Sequence, residues 1–268
     1  MVAASRKLRL KDKRRRMRII LFSLGVILFV GATVGIVMGL RMSEVNIASV
    51  SVAGTYYTDE KVVLNMIDGM LGGSYFFVIP RTNTFLYPKS AIERDIYSLF
   101  PTVREVRFSR IGFTGLSVTL VEREPHALWC SSVESDSPCY LMDEQGFVFA
   151  KTNSNEQNFV LYSGNVHGEP LSQTYLEGTY PKLASFVQNL ITATNRKPLS
   201  VTVDEHNDVV VAFEDGGEVR FTADRADEAL LDNIASVFAS RRFQSDDEIL
   251  EYADFRFGNK IYVKFKDE

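Results

Sequence analysis

The sequence predicts an α+β protein with one N-terminal transmembrane helix, a β-α-α-β-β module and a mainly antiparallel β domain with flanking helices. Three observations predict this class. Residues 19–40 form an uncharged apolar stretch. Residues 45–124 then show strand spacing, two helical repeats and two further strands in that order. From residue 125 onward, short apolar runs between turn residues dominate, with two helical repeats among them.

The apolar stretch predicts a membrane anchor. As a helix, residues 19–40 would extend ~33 Å, enough to cross the hydrocarbon core of a bilayer. Residues 1–18 carry nine Lys and Arg against one acid, which predicts a cytoplasmic N-terminus and an extracytoplasmic remainder. A cleaved signal peptide is the alternative. Residues 38–42 offer no small-x-small cleavage site, which favours a single-pass signal anchor.

Charge is distributed unevenly between the two sides of this anchor. Residues 41–268 contain 33 acidic and 21 basic residues, a net charge of −12. An acidic exterior argues against nucleic acid as a partner, since a phosphate backbone needs a basic surface. The basic tail at residues 1–18 suits the anionic inner leaflet of a lipid bilayer.

The anchor carries a glycine repeat. Gly31, Gly35 and Gly39 recur every four residues and therefore share one helix face. Such a face allows another helix to approach closely, so we predict helix packing there. The alternative is that glycine is simply common in membrane helices.

The two cysteines, Cys130 and Cys139, both lie beyond the anchor and are separated by eight residues. In an oxidising exterior this spacing predicts a disulfide, which would stabilise the fold by about 2–3 kcal/mol. Two unpaired thiols are the alternative. A zinc site is poorly supported, because it needs four ligands and the three histidines form no Cys-x-x-Cys-type pattern with these cysteines.

Residues 45–124 predict a compact module of three strands and two helices. Residues 47–52 form the first strand. The first helix is capped by Thr58 and ends at Gly72, and the second begins near Pro88 and ends before Pro101. Residues 103–110 and 116–120 are the two closing strands, joined by a turn at residues 112–115.

Residues 125–268 predict the second domain. Helices are expected around Leu183–Ile191 and Leu230–Phe238, where apolar residues recur at helical spacing. In the last strand Ile261, Val263 and Phe265 alternate with polar residues. The predicted strands are 127–130, 140–142, 147–149, 159–162, 201–203, 209–213, 219–222, 252–257 and 260–266.

Several motifs of the chain resemble a known family. The runs VAGT at 52–55, YFF at 75–77, LFPTV at 99–103 and EREPHALW at 122–129 resemble a POTRA domain of the FtsQ/DivIB cell-division family. The run CYLMDEQGFVF at 139–149 is similar to the family's next signature, a strand, an acidic-Gly turn and another strand. The resemblance extends over nearly the whole chain and implies a POTRA-like domain at 45–124 and an FtsQ/DivIB-type β domain at 125–268.

The resemblance implies a partner-binding role for the last hairpin. In that family this region pairs with a strand of an FtsB/DivIC-type partner, which acts together with an FtsL-type protein. The implied contact residues are Phe257, Asn259, Ile261, Tyr262 and Val263, with Arg256 as a neighbour that attracts acidic groups. The alternative is an ordinary edge strand protected by Lys260, Lys264 and Lys266.

Catalytic signals are weak in this sequence. His126, His167 and His206 are dispersed, and the acidic turn at 204–208 lacks the ligand spacing of a calcium loop. Together with the family resemblance, this implies a non-catalytic scaffold of the division septum, without cofactor or metal. Two alternatives remain: a membrane-anchored hydrolase of the cell wall, and a POTRA-type chaperone module of outer-membrane assembly.

Overall fold

The computed structural model describes residues 2–132, 137–152, 159–240, 249–258 and 260–266, with side chains described from Lys13 onward. The chain divides into two compact units. Unit 1 comprises Met1–Leu99 and Glu105–Val121. Unit 2 comprises Phe100–Arg104 and Glu122–Glu268, so a short segment from the middle of the first unit's sequence belongs with the C-terminal part of the chain.

The N-terminal helix α1 spans Val2–Leu40 and is therefore longer than the apolar stretch alone. Its segment Lys13–Leu40 is long and apolar enough to cross a membrane, with a mean hydropathy of 2.6 and none of its most apolar window buried. The basic tail continues the helix because Lys and Arg are good helix formers. A one-turn 3-10 helix, Ser43–Val45, follows α1.

The remainder of unit 1 is a three-stranded sheet with two helices. The sheet order is β1-β5-β4, and β1 runs parallel to β5. Val63 and Ile67 on α2, Ile92 and Ile96 on α3 and Leu116 on β5 are all buried. The elements are β1 Ser49–Ala53, α2 Glu60–Leu71, β2 Ser74–Tyr75, β3 Ile79–Pro80, α3 Lys89–Leu99, β4 Val103–Ile111 and β5 Gly115–Glu122.

The predicted cap of α2 is wrong by one residue. Asp59 occupies the N-cap, and its side chain accepts the backbone N–H of Lys61 at 2.8 Å. Thr58 precedes it and is buried. Both residue types cap helices well, but a carboxylate is further favoured by the positive end of the helix dipole.

Unit 2 is built on a nine-stranded sheet with the order β14-β13-β12-β11-β10-β9-β6-β7-β8. Five neighbouring pairs are antiparallel and three are parallel, so the predicted mixed α+β class with a large, mostly antiparallel sheet is confirmed. The POTRA likeness stays a prediction. The elements are β6 Ala127–Cys130, β7 Cys139–Met142, β8 Val148–Thr152, β9 Leu161–Ser163, α4 Tyr180–Thr194, β10 Pro198–Val203, β11 Asp208–Phe213, β12 Glu218–Thr222, α5 Glu228–Phe238, β13 Leu250–Phe257 and β14 Lys260–Phe265.

Helices α4 and α5 cover the apolar face of this sheet. Strand β11 alternates strictly, with Val209, Val211 and Phe213 buried and its other residues half-buried. Phe186 of α4 meets Phe221 of β12 with ring centroids 4.9 Å apart. On the opposite face, β12 presents Glu218, Arg220 and Thr222, and β11 presents Asp208 beside the half-buried Val210 and Ala212.

Candidate partner-binding edge

Strand β14 forms one edge of the nine-stranded sheet. It pairs with β13 in antiparallel register, with Asp254 opposite Tyr262 and Ala253 opposite Val263. Within the described part of the chain, no strand lies beyond β14. An edge strand of this kind presents backbone N–H and C=O groups to which another strand can pair.

The directions of the N–H groups on β14 follow from one hydrogen bond. The N–H of Lys266 donates to Ile249 O at 2.8 Å, which points it towards β13. The two register shifts of the β13–β14 pair place their extra residues on β13. The N–H groups of β14 therefore alternate regularly between β13 and the open edge. Alternate residues share a direction in an antiparallel strand. The N–H groups of Ile261 and Val263 therefore point to the open edge.

One face of β14 borders an apolar groove. Ile261, Val263 and Phe265 project towards α5 and are progressively more buried along the strand. With α5 they enclose a groove of about 520 Å³, whose other lining residues are Asn233, Ser236, Val237 and Ser240. A chain that added to the edge could therefore place an apolar side chain in a ready cleft.

The β13–β14 hairpin exposes two aromatic rings, one from each strand. Tyr262 is 50% exposed and Phe257 is 55% exposed. Their ring centroids lie 5.3 Å apart in an edge-to-face arrangement. Beside them Lys264 Nζ contacts Glu251 Oε2 at 2.7 Å, and this hydrogen bond raises the pKa of Lys264. Exposed, mutually packed aromatics are typical anchors of protein interfaces.

Arg256, expected to attract acidic groups of a partner, is paired with two carboxylates of its own chain. Its Nη1 contacts Asp208 Oδ2 at 2.5 Å and its Nη2 contacts Asp254 Oδ2 at 2.6 Å. Burial acts to raise the pKa of Asp254, but the hydrogen bonds and charge of Arg256 lower it overall. The same two carboxylates raise the pKa of Arg256. The guanidinium is thus paired within unit 2, so its geometry fits a role in holding β13 rather than in attracting a partner's acid.

The opposite edge of the sheet, strand β8, is partly covered. Val148 N–H donates to Gln173 O and Ser172 N–H donates to Val148 O, each at 2.8 Å. Phe147 and Thr174 form an isolated antiparallel bridge beside them. The segment 172–174 therefore pairs with outward-facing backbone groups of β8, whereas no strand lies beyond β14 in the described part of the chain.

The cysteines and the glycines singled out in the sequence lie in other elements than β14. Cys130 and Cys139 form a disulfide between directly opposed positions of β6 and β7. Gly31, Gly35 and Gly39 lie on α1, and an added Cβ at each would meet no atom of the described residues within 4 Å. Asn259, predicted to contact the partner, lies outside the described residues.

An ion pair that sequence reasoning missed joins two of the motifs that carry the family resemblance. Arg123 of the EREPHALW run donates from Nη1 to Asp143 Oδ2 of the acidic-Gly turn at 2.5 Å. Asp143 Oδ1 also accepts the N–H groups of Gln145 and Phe147, at 2.9 and 3.0 Å. The guanidinium stacks on the Phe147 ring at 3.9 Å. The separation of 20 residues hid the pair, although both motifs were recognised.

Histidines and acidic residues outside the β14 edge are further candidates for metal binding or catalysis in the described part of the chain. No group of three or more His, Cys, Asp or Glu is arranged there to hold a metal ion. His206 is exposed and lies 3.9 Å from Asp204. A cavity of about 200 Å³ is lined by His126, Tyr162 and Tyr180 among others. Burial raises the pKa of both tyrosines, which keeps their hydroxyls protonated.

Comparison with known proteins assigns no family to the chain, since no protein-family model matches it and no curated protein matches it either. Any functional assignment therefore depends on the geometry of the β14 edge, the apolar helix α1 and the motifs of the sequence.

Proposed function

We propose that this protein is a non-catalytic, single-pass membrane scaffold of the FtsQ/DivIB type. In this proposal α1 crosses the cell membrane with its N-terminus in the cytoplasm, and both units lie outside. The scaffold links single-pass division proteins of the FtsB/DivIC and FtsL types to cell-wall synthesis at the division septum. The observation that carries the proposal is the open β14 edge, which combines outward backbone donors, an apolar groove and exposed aromatics.

Strand addition explains why these features occur together. A partner strand gains affinity from backbone hydrogen bonds to Ile261 and Val263, and specificity from side chains that enter the adjacent groove. Tyr262 and Phe257 supply the apolar contact area on the opposite face. The lysines of β14 protect a free edge from aggregation while still admitting a partner with acidic side chains.

The decisive variant is Ile261→Pro in the full-length chain. Proline removes an N–H that points to the open edge and leaves the donors to β13 in place, so β14 keeps its pairing within the sheet. A partner strand would lose one hydrogen bond and would clash with the proline ring. We expect binding of an FtsB/DivIC-type protein to weaken at least tenfold, which corresponds to about 1.4 kcal/mol. The measurement is quantitative capture of that partner by the detergent-solubilised protein.

The matched control is Ile261→Val, which keeps the N–H and most of the side chain. Tyr262→Glu should also weaken capture, because it replaces one of the two exposed rings with a charge beside the other. Equal capture by Ile261→Pro and Ile261→Val, with both variants folded, would remove β14 as the binding edge. Turnover of purified cell-wall material by the full-length protein would instead favour the anchored hydrolase.

A further inference from the structure

We propose that the β2–β3 hairpin, with Phe76 and Phe77 at its tip, inserts into the headgroup region of the bilayer that α1 crosses. The inference rests on the membrane span of the proposed function and is independent of the proposed partner. Its ligand is the lipid surface itself, and its consequence is that unit 1 is held against the membrane at a second point.

The hairpin tip combines two unusual features, bulky residues with positive φ values and aromatic rings exposed to solvent. Val78 N–H donates to Tyr75 O at 2.9 Å, closing a turn whose central residues Phe76 and Phe77 have φ values of 50° and 62°. Turns with two positive φ values strongly favour Asn and Gly, and bulky residues rarely adopt them. The two rings are nevertheless 92% and 96% exposed. Two aromatics kept in a strained turn and directed away from the core indicate an external apolar phase.

The hairpin lies beside the end of α1. Strand β3 contacts α1, and Val37, Gly39 and Leu40 are the half-buried residues of that helix. Asn83, three residues after Pro80, donates from Nδ2 to Leu40 O at 2.9 Å. A helix that ends its membrane crossing at Leu40 therefore brings the base of the hairpin to the membrane surface.

Further apolar side chains lie at the same end of unit 1. Ala48 N–H donates to Thr114 O at 2.7 Å, which brings the β4–β5 turn beside the segment that leaves α1. That turn exposes Ile111 and Phe113, and the Phe113 ring lies 6.2 Å from that of Phe85. The turn and the hairpin thus present apolar residues from separate parts of the chain at the end where α1 terminates.

Arginines accompany these aromatics. Arg81 stacks on the Tyr75 ring at 5.6 Å, and Arg110 stacks on the Phe85 ring at 5.4 Å. Arg41 directly follows α1, and Glu44 is the acidic residue of the short helix after it. Arginine side chains next to apolar rings extend towards lipid phosphates while their stems stay in the apolar layer. Aromatic rings with neighbouring arginines match the chemistry of a bilayer interface.

The experiment uses the full-length chain reconstituted into phosphatidylcholine vesicles whose lipids carry bromine on the acyl chains. The native Trp129 is buried in unit 2 and supplies a constant background. In Phe77→Trp, we expect the added emission to be shifted to the blue and to lose most of its intensity in brominated lipid. The matched control, Tyr56→Trp, places an exposed ring in the loop after β1, at the strand end remote from α1, and should keep its emission.

Two further measurements make each outcome decisive. Phe113→Trp tests the same end of unit 1 at a residue without positive φ, in case Phe77→Trp does not fold. Extraction with alkaline carbonate tests the span. If the chain resists extraction but tryptophans at 77 and 113 are as unquenched as that at 56, the membrane span survives and the hairpin inference is overturned. If carbonate releases the chain, the span itself is overturned, and the inference with it.

Discussion

The two ends of the nine-stranded sheet are built differently. At the β8 end, backbone bonds to the segment 172–174 cover the edge, and the Cys130–Cys139 disulfide joins β6 to β7. At the β14 end, the edge is open, and Arg256 of β13 pairs with two carboxylates of unit 2. The difference separates two tasks, because an edge that must admit a partner strand cannot also be closed by the chain's own backbone.

At each end an arginine pairs with a buried carboxylate, Asp143 at one end and Asp254 at the other, but the pairs join different elements. Arg123 and Asp143 join a strand exit to a turn at the closed end. Arg256 joins Asp254 on its own strand to Asp208 on β11 at the open end. Asp143 accepts two backbone N–H groups as well as the guanidinium. We therefore expect the closed end to be more sensitive to the loss of its carboxylate.

The largest effect is expected from Asp143→Ala. The substitution leaves a largely buried guanidinium and two N–H groups of the turn without the carboxylate that accepts their hydrogen bonds. The free energy of unfolding should therefore fall by about 3–5 kcal/mol. Denaturant unfolding measures this change. The control is Glu144→Ala, which removes an exposed pair with Arg104 at 3.1 Å and should cost under about 1 kcal/mol. Similar losses in both variants would contradict the assigned role of Asp143.

A smaller effect separates the two edges directly. Val148→Pro removes the N–H that donates to Gln173 O. The Gln173 carbonyl then lacks its donor, which should lower the free energy of unfolding by about 1–3 kcal/mol before any loss of packing. Ile261→Pro removes an N–H that points to the open edge, so we expect a change in the free energy of unfolding within about 0.5 kcal/mol. Thermal or denaturant unfolding of the two variants compares them. A larger loss for Ile261→Pro would mean that β14 is not an open edge.

Local spacing in the sequence predicted much of this fold. The strand Ala127–Cys130 was predicted at its observed bounds, and the apolar spacing of α2, α4 and α5 identified their buried faces. Sheet order was not predictable, because β6 pairs with β9 across the chain and nothing local encodes that parallel contact. The mixed class followed from periodicity, whereas the long-range pairing did not.

The candidate site was predicted less completely than the fold. The open hairpin was expected, but Arg256 finds Asp208 at 48 residues' separation, which spacing arguments do not reach. Phe76 and Phe77 were part of an apolar run, and such runs usually indicate burial. A turn with positive φ at both residues exposes them instead, and this backbone conformation is not encoded by hydrophobicity.

The smallest effect concerns pH and again distinguishes the open end. The pKa of Asp254 is lowered in the folded chain from 3.8, so its contribution to stability is present above that ordinary value. The contribution is lost as the pH falls through the lowered value. We expect Asp254→Asn to show a shallower loss of unfolding free energy than the parent chain between about pH 5 and about pH 2. Tyr262→Phe changes the same edge without altering charge and should keep the parent slope. If the unfolding free energies of Asp254→Asn and of the parent chain changed equally with pH, the Arg256–Asp254 pair would not stabilise the open end. The disulfide and the covered edge would then be the features that distinguish the two ends.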